Sequence, residues 1–131
     1  MRAALRWLLA GFMVFAGISH LVSADAFLGQ VPTWLPFRTP IVWASGVVEV
    51  ALGVALALTR GPWRRRTGWA LALFLLLVFP GNLYQAIAGT DAFGLDTPSE
   101  RWGRLALQPV LILWALWSSG AWPRPLAAVA R

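Results

Sequence analysis

The chain carries one histidine, His20, and one carboxylate inside its long apolar runs, Glu49, and any proton chemistry would have to start from these two. An ionisable side chain in hydrocarbon costs at least about 2.5 kcal/mol, so each requires a partner within the protein. Asn82 in the third apolar run and Gln108 in the fourth, one helical turn after Arg104, add two amides and a guanidinium. We read His20 and Glu49 as a candidate proton-exchanging pair, and His20, Glu49, Asn82, Gln108 and Arg104 as candidate ligand-binding residues. The plainer alternatives stay open. Asn82 and Gln108 would serve equally as interhelical hydrogen bonds of about 0.6–2 kcal/mol, and Glu49 as a structural ion pair with His20 or Arg104. Tyr84 and Gln85 either line the same cavity or sit at the membrane interface. One histidine and one glutamate without cysteine make a weak metal site, and no metal is expected.

These residues need a scaffold, and the composition states which kind. Of 131 residues 59% are hydrophobic and 12% charged, with nine tryptophans and a mean hydropathy of +0.67. A soluble domain needs roughly a quarter of its residues charged, so a water-soluble monomer is excluded. At about 20 residues per spanning helix there is room for about four spans in one domain, residues 1–131, and none for a separate catalytic domain. The absence of cysteine excludes thiol–disulfide exchange by the chain itself. The net charge of +6 comes from eleven arginines and no lysine. They lie between apolar runs rather than on a basic face, so they read as orientation signals and not as a nucleic-acid surface.

The expected fold is all-α, a four-helix transmembrane bundle with spans at about 3–24, 41–59, 67–88 and 102–121. Arg60, Gly61 and Pro62 stop the second span, and Pro123 and Pro125 follow the fourth. Between the first two spans Pro32, Pro36 and Pro40 recur among Phe27, Leu28, Val31, Trp34, Leu35 and Phe37. That density of proline excludes a continuous helix, and the apolar content predicts an interfacial or re-entrant loop folded over the bundle mouth. The loop from Gly89 to Glu100, with Asp91, Gly94, Asp96 and Pro98, should face water. Arg2, Arg6, Arg60, Arg64, Arg65, Arg66, Arg124 and Arg131 fall on one side and Arg38, Arg101 and Arg104 on the other, which predicts an inner-membrane protein with both termini cytoplasmic. Trp7, Trp63, Trp69, Trp117 and Trp122 then mark the inner interface, and Trp34, Trp43 and Trp102 the outer. A competing reading takes residues 1–26 as a secretory signal with Ala24-Asp25-Ala26 as its cleavage site, leaving three spans and a chain starting at Phe27.

In the four-span topology each helix presents its polar group in the outer half of the membrane. Glu49 lies on a stripe of small residues with Gly46, Gly53 and Ala57, and His20 on a similar stripe with Ala10, Met13 and Gly17, so both should face neighbouring helices. Pro80 frees the carbonyl of Leu76 beside Gly81 and Asn82, and Pro109 does the same for Leu105 beside Gln108, a loosening tolerated only in a buried or wet site. The cytoplasmic halves read as Leu, Ala, Val and Trp with no polar path, which disfavours a channel or transporter.

Gly17-Ile18-Ser19-His20, Pro32 and Pro36, Ser45-Gly46-Val47-Val48-Glu49 with Gly53, Pro80-Gly81-Asn82, and Arg104 through Gln108 together resemble the DoxX-like family of small four-helix membrane proteins, over residues of about 10 to 118. The resemblance implies a four-helix bundle and an association with redox processes. Some relatives are named for a thiosulfate:quinone oxidoreductase subunit, others are grouped with MauE-type maturation factors, and an animal branch assists receptor assembly. The missing cysteines depart from any thiol-transfer role. Two functions follow as expectations. In one, the polar cluster holds a quinone-like or other amphipathic molecule, with electrons coming from a redox partner because nothing in the chain carries them. In the other, the cluster only holds the helices together, and the protein is a membrane assembly factor that recruits a partner complex.

Overall fold

The computed structural model describes residues 1–90 and 97–122. Asp91, Gly94 and Asp96 of the acidic loop, and Pro123, Arg124, Pro125 and Arg131 beyond the fourth helix, lie outside the described residues. Among the described residues every regular element is helical: α1 (Arg2–Val22), a short 3-10 helix η1 (Ala24–Gln30), α2 (Arg38–Leu58), α3 (Gly61–Ala88) and α4 (Pro98–Ser119).

Three of the helices begin well before the expected starts at 41, 67 and 102, and proline is the physical reason. A helix's first turn has no use for its backbone N–H groups, so proline is accommodated there at no cost in hydrogen bonds. Pro62 and Pro98 occupy the first turns of α3 and α4. Pro40, expected to close the loop, is the third residue of α2. Thr97 caps α4 by accepting from the Glu100 backbone N–H at 3.3 Å. At the other ends α3 and α4 stop at Gly89 and Gly120, both left-handed, with φ of 69° and 80°. Pro80 and Pro109 lie inside continuous helices.

The helices associate as two closely packed pairs, α1 with α2 and α3 with α4, joined by lighter contacts between α1 and α4 and between α2 and α3. The α1–α2 seam runs along the two stripes of small residues. A Cβ on Gly53 would lie 2.9 Å from the Ala10 carbonyl, and Gly17 and Gly46 approach each other still more closely. On the second pair Gly68 makes room for the Ser119 side chain. The interior between the pairs is filled by Leu9, Ala10, Met13, Leu56, Leu71, Leu75, Leu111 and Ala115, drawn from all four long helices.

The outward faces are apolar too. Phe12, Phe15 and Ile18 of α1, Val47 and Val54 of α2, Leu73 and Leu77 of α3, and Val110 and Leu113 of α4 are all exposed. Three helices, α1, α2 and α3, are long and apolar enough to cross a membrane, and apolar surface on this scale marks a membrane protein.

The segment after α1 returns over the helix ends, as its apolar content anticipated, and packs on α1, α2 and α3. Phe27 and Val31 bury against Val42 of α2. Arg38, the first residue of α2, donates through Nη2 to the Leu28 and Val31 carbonyls at 2.6 and 2.9 Å. Gly81 of α3 lies so close to the Gln30 carbonyl that a Cβ would stand 2.9 Å from it. The chain enters α2 through Phe37 in a left-handed conformation, φ 58°, which is strained for a bulky side chain.

Candidate functional site

His20 and Glu49 meet across the α1–α2 seam, with His20 Nδ1 3.2 Å from Glu49 Oε2. Side chains on a helix lean towards its N-terminus. In an antiparallel pair the His20 ring therefore leans down α1 while the Glu49 carboxylate leans the opposite way along α2, which closes the gap between residues of unequal depth.

The hydrogen bonding of the pair is less obvious than the distance. His20 Nδ1 also lies 2.6 Å from the Ala16 carbonyl. A carbonyl can only accept, so this contact takes the Nδ1 proton. Glu49 Oε2 is consequently buried with no hydrogen-bond partner, in a residue only 8% exposed. Phe27 of η1 stacks on the other side of the imidazole, with ring centroids 3.8 Å apart and planes 17° from parallel. The 3-10 helix thus fixes the ring that faces the carboxylate.

The second half of the polar cluster joins α3 to α4. Gln108, with no exposed surface, accepts through Oε1 from Asn82 Nδ2 at 3.2 Å and from Arg104 Nη1 at 2.7 Å. Its Nε2 donates to the Leu75 carbonyl at 2.6 Å. Arg104 bridges the halves, since its charge acts on both Glu49 and His20. The structure therefore gathers His20, Glu49, Asn82, Gln108 and Arg104 into one region, through three direct side-chain contacts and the field of one guanidinium.

Gln85 belongs to the same end of the molecule. Gln85 is 1% exposed, in the interior rather than at the membrane interface. Its Oε1 accepts from Gln30 Nε2 of η1 at 3.1 Å, while its own Nε2 is buried without a partner. Gln30 and Arg38 were absent from the expected site. Their role depends on the η1 fold, which no periodicity in residues 24–37 announces. The expectation that the opposite half lacks polar groups needs correction as well. Ser118 and Ser119 are both 1% exposed there; Ser119 Oγ donates to the Leu116 carbonyl at 3.1 Å, and Ser118 Oγ has no partner.

Among the described residues no group of three or more His, Cys, Asp or Glu could hold a metal ion. A groove between α3 and α4, lined by Leu76, Phe79, Pro109, Ile112 and Leu113, reaches the side of Gln108 from the apolar exterior. A second groove, of Leu5, Val110, Leu113, Trp114, Trp117 and Trp122, lies towards the other end. Beneath η1 the structure thus leaves a buried acceptor, Glu49 Oε2, and a buried donor, Gln85 Nε2, each without a partner in the protein.

Residues 9–119 match a domain of unknown function, DUF8561, and the chain belongs to that family. No curated protein and no solved structure matches the chain.

Proposed function

We propose that this DUF8561 member is a four-helix integral membrane protein that binds the polar end of an amphipathic, quinone-like molecule in the cluster beneath η1, as an accessory subunit of a redox process. The observation that carries the reading is Glu49 Oε2, buried and without a partner beside His20. A buried carboxylate oxygen is costly unless a donor reaches it, and a hydroxyl of a bound quinol would be such a donor. The exposed apolar face of α4, with Leu107, Val110 and Leu113, supports its crossing the membrane with the other three. The arginine distribution supports an inner-membrane location with both termini cytoplasmic. The likeness to DoxX-like proteins supports the redox association.

In this mechanism Glu49 and His20 hold or hand over the protons, and reduction of a quinone to a quinol would take two electrons from a redox partner and two protons through this pair. The test is mass spectrometry of lipid-like molecules retained after gentle purification of wild type, Glu49→Gln and His20→Ala. Selective loss of one amphipathic species from both folded variants is expected. Retention identical to wild type would reject the site.

A second reading, a membrane assembly factor, is favoured by one specific feature. Both the oxygen and the nitrogen of the Gln108 amide are engaged within the protein, as expected of interhelical glue. It predicts that Glu49→Gln lowers thermal stability without changing the retained molecules, and that the protein co-purifies with another membrane protein.

A further inference from the structure

The end of the molecule remote from His20 and Glu49 has an electrostatic problem of its own. Arg6 of α1 and Arg60 of the α2–α3 link both act on the charge of Arg64 in α3, three cations drawn from separate segments. The Nε atoms of Arg6 and Arg64 are buried, and neither finds an acceptor. Ser118 Oγ is a third buried atom without a partner. Trp114 donates to the Leu5 carbonyl of α1 at 3.0 Å, and Ser118 follows Trp114 by one turn on the same face, at this same end.

Among the described residues no acid lies at this end. Of its five acids, Asp25 and Glu100 belong to η1 and the start of α4, at the opposite end. Asp91 and Asp96 lie outside the described residues. Glu49 is about 16 Å from Arg60 along α2. Like charges brought together without a counter-charge repel, and the two buried Nε donors without acceptors add a desolvation cost. An anion that accepts from several directions removes both penalties at once.

We propose that Arg6, Arg60 and Arg64 form a specific binding site for a phosphate group, that of an anionic phospholipid headgroup. Guanidinium forks match phosphate oxygens bidentately. The lipid source is favoured by the aromatic residues at the same end. Trp7 and Trp63 are exposed there, Arg66 stacks on Trp63, and Arg2 on Trp117, each 4.8 Å from the ring centre. Such residues sit at headgroup depth, where the phosphates are. The site does not depend on the polar cluster beneath η1, so either can fail alone.

The experiment uses the full chain in a non-ionic detergent. Native mass spectrometry and thermal unfolding are measured with phosphatidylglycerol, phosphatidylcholine or inorganic phosphate added. Wild type is expected to bind phosphatidylglycerol at least about tenfold more tightly than phosphatidylcholine. Arg64→Gln and Arg6→Gln should each weaken that binding about tenfold, and Arg65→Gln, which removes the same charge from a neighbouring position, by less than about threefold. Arg64→Lys keeps the charge but loses the fork; it should fall between, and it serves as the test if a glutamine variant fails to fold. Equal losses for Arg65→Gln and Arg64→Gln, or equal binding of the two lipids, would overturn the site. Stabilisation by inorganic phosphate equal to that by phosphatidylglycerol would overturn the lipid assignment in favour of a soluble phosphate compound.

Discussion

Gly17 and Gly46 pack backbone against backbone, so closely that a Cβ on either would lie within 2.6–2.7 Å of the other's carbonyl oxygen. This contact sets the spacing of α1 and α2, and with it the reach of His20 to Glu49. The Cβ of His20 is itself one of the atoms that a side chain at Gly46 would strike, at 2.8 Å.

Gly17→Ala and Gly46→Ala are each expected to lower stability by about 1–3 kcal/mol, because the obstructing atoms include backbone carbonyls that cannot swing aside. Gly11 has nothing within 4 Å of its would-be Cβ, so Gly11→Ala should be neutral or stabilising by up to about 1 kcal/mol. Thermal unfolding in detergent measures both, and equal effects at all three positions would refute the close seam.

A double-mutant cycle between His20→Ala and Glu49→Gln should give a coupling below about 1 kcal/mol, since the Nδ1 proton serves the Ala16 carbonyl rather than the carboxylate. The cycle between His20→Ala and Phe27→Leu should give about 0.5–1.5 kcal/mol from ring stacking. The reverse order would mean that the imidazole donates to Glu49.

Replacing Gln108 by Leu strands the donors of Asn82 and Arg104 in the interior. We expect a loss of about 2–4 kcal/mol. Adding Asn82→Leu should cost less than its effect alone, by at least about 0.5 kcal/mol, because its donor has already lost its acceptor. Strict additivity would show that the two amides act independently.

Phe37 is 77% exposed and holds a left-handed conformation that costs an L-residue about 1–2 kcal/mol. Phe37→Gly should raise the unfolding temperature in detergent, with a gain of up to about 1 kcal/mol after the added freedom of the unfolded chain is counted. A fall in unfolding temperature would show that the aromatic ring contributes more than the strain.

Arg38→Ala removes two hydrogen bonds from the η1 region. Protease cleavage between residues 24 and 37 should accelerate while the four long helices stay protected. Unchanged cleavage would mean that the buried Phe27 and Val31 hold the segment unaided.

The four long helices were legible because each is an apolar run, three of them closed by Gly, Pro or Arg, and Glu49 and Gln108 because a polar residue is conspicuous inside such a run. The seam was legible for a related reason, since Gly46, Glu49 and Gly53 repeat at helical spacing. The helix starts were misplaced where proline has two meanings: Pro40 reads as a loop residue until the first turn is seen to accept it. The η1 fold was not legible as a helix. Seven residues carry too little periodicity, and their order depends on distant partners such as Gln85, which is 55 residues from Gln30. Ser118 and Ser119 were missed because small hydroxyl residues near a helix end resemble ordinary interfacial positions until burial is known.

The division into two closely packed pairs carries a consequence for biogenesis. The partners of each pair are consecutive in sequence, so the first hairpin can complete its glycine seam before the ribosome has finished α3. The link between them spans only Thr59 and Arg60, and a chain severed there should yield two fragments that insert separately and reassemble when coexpressed.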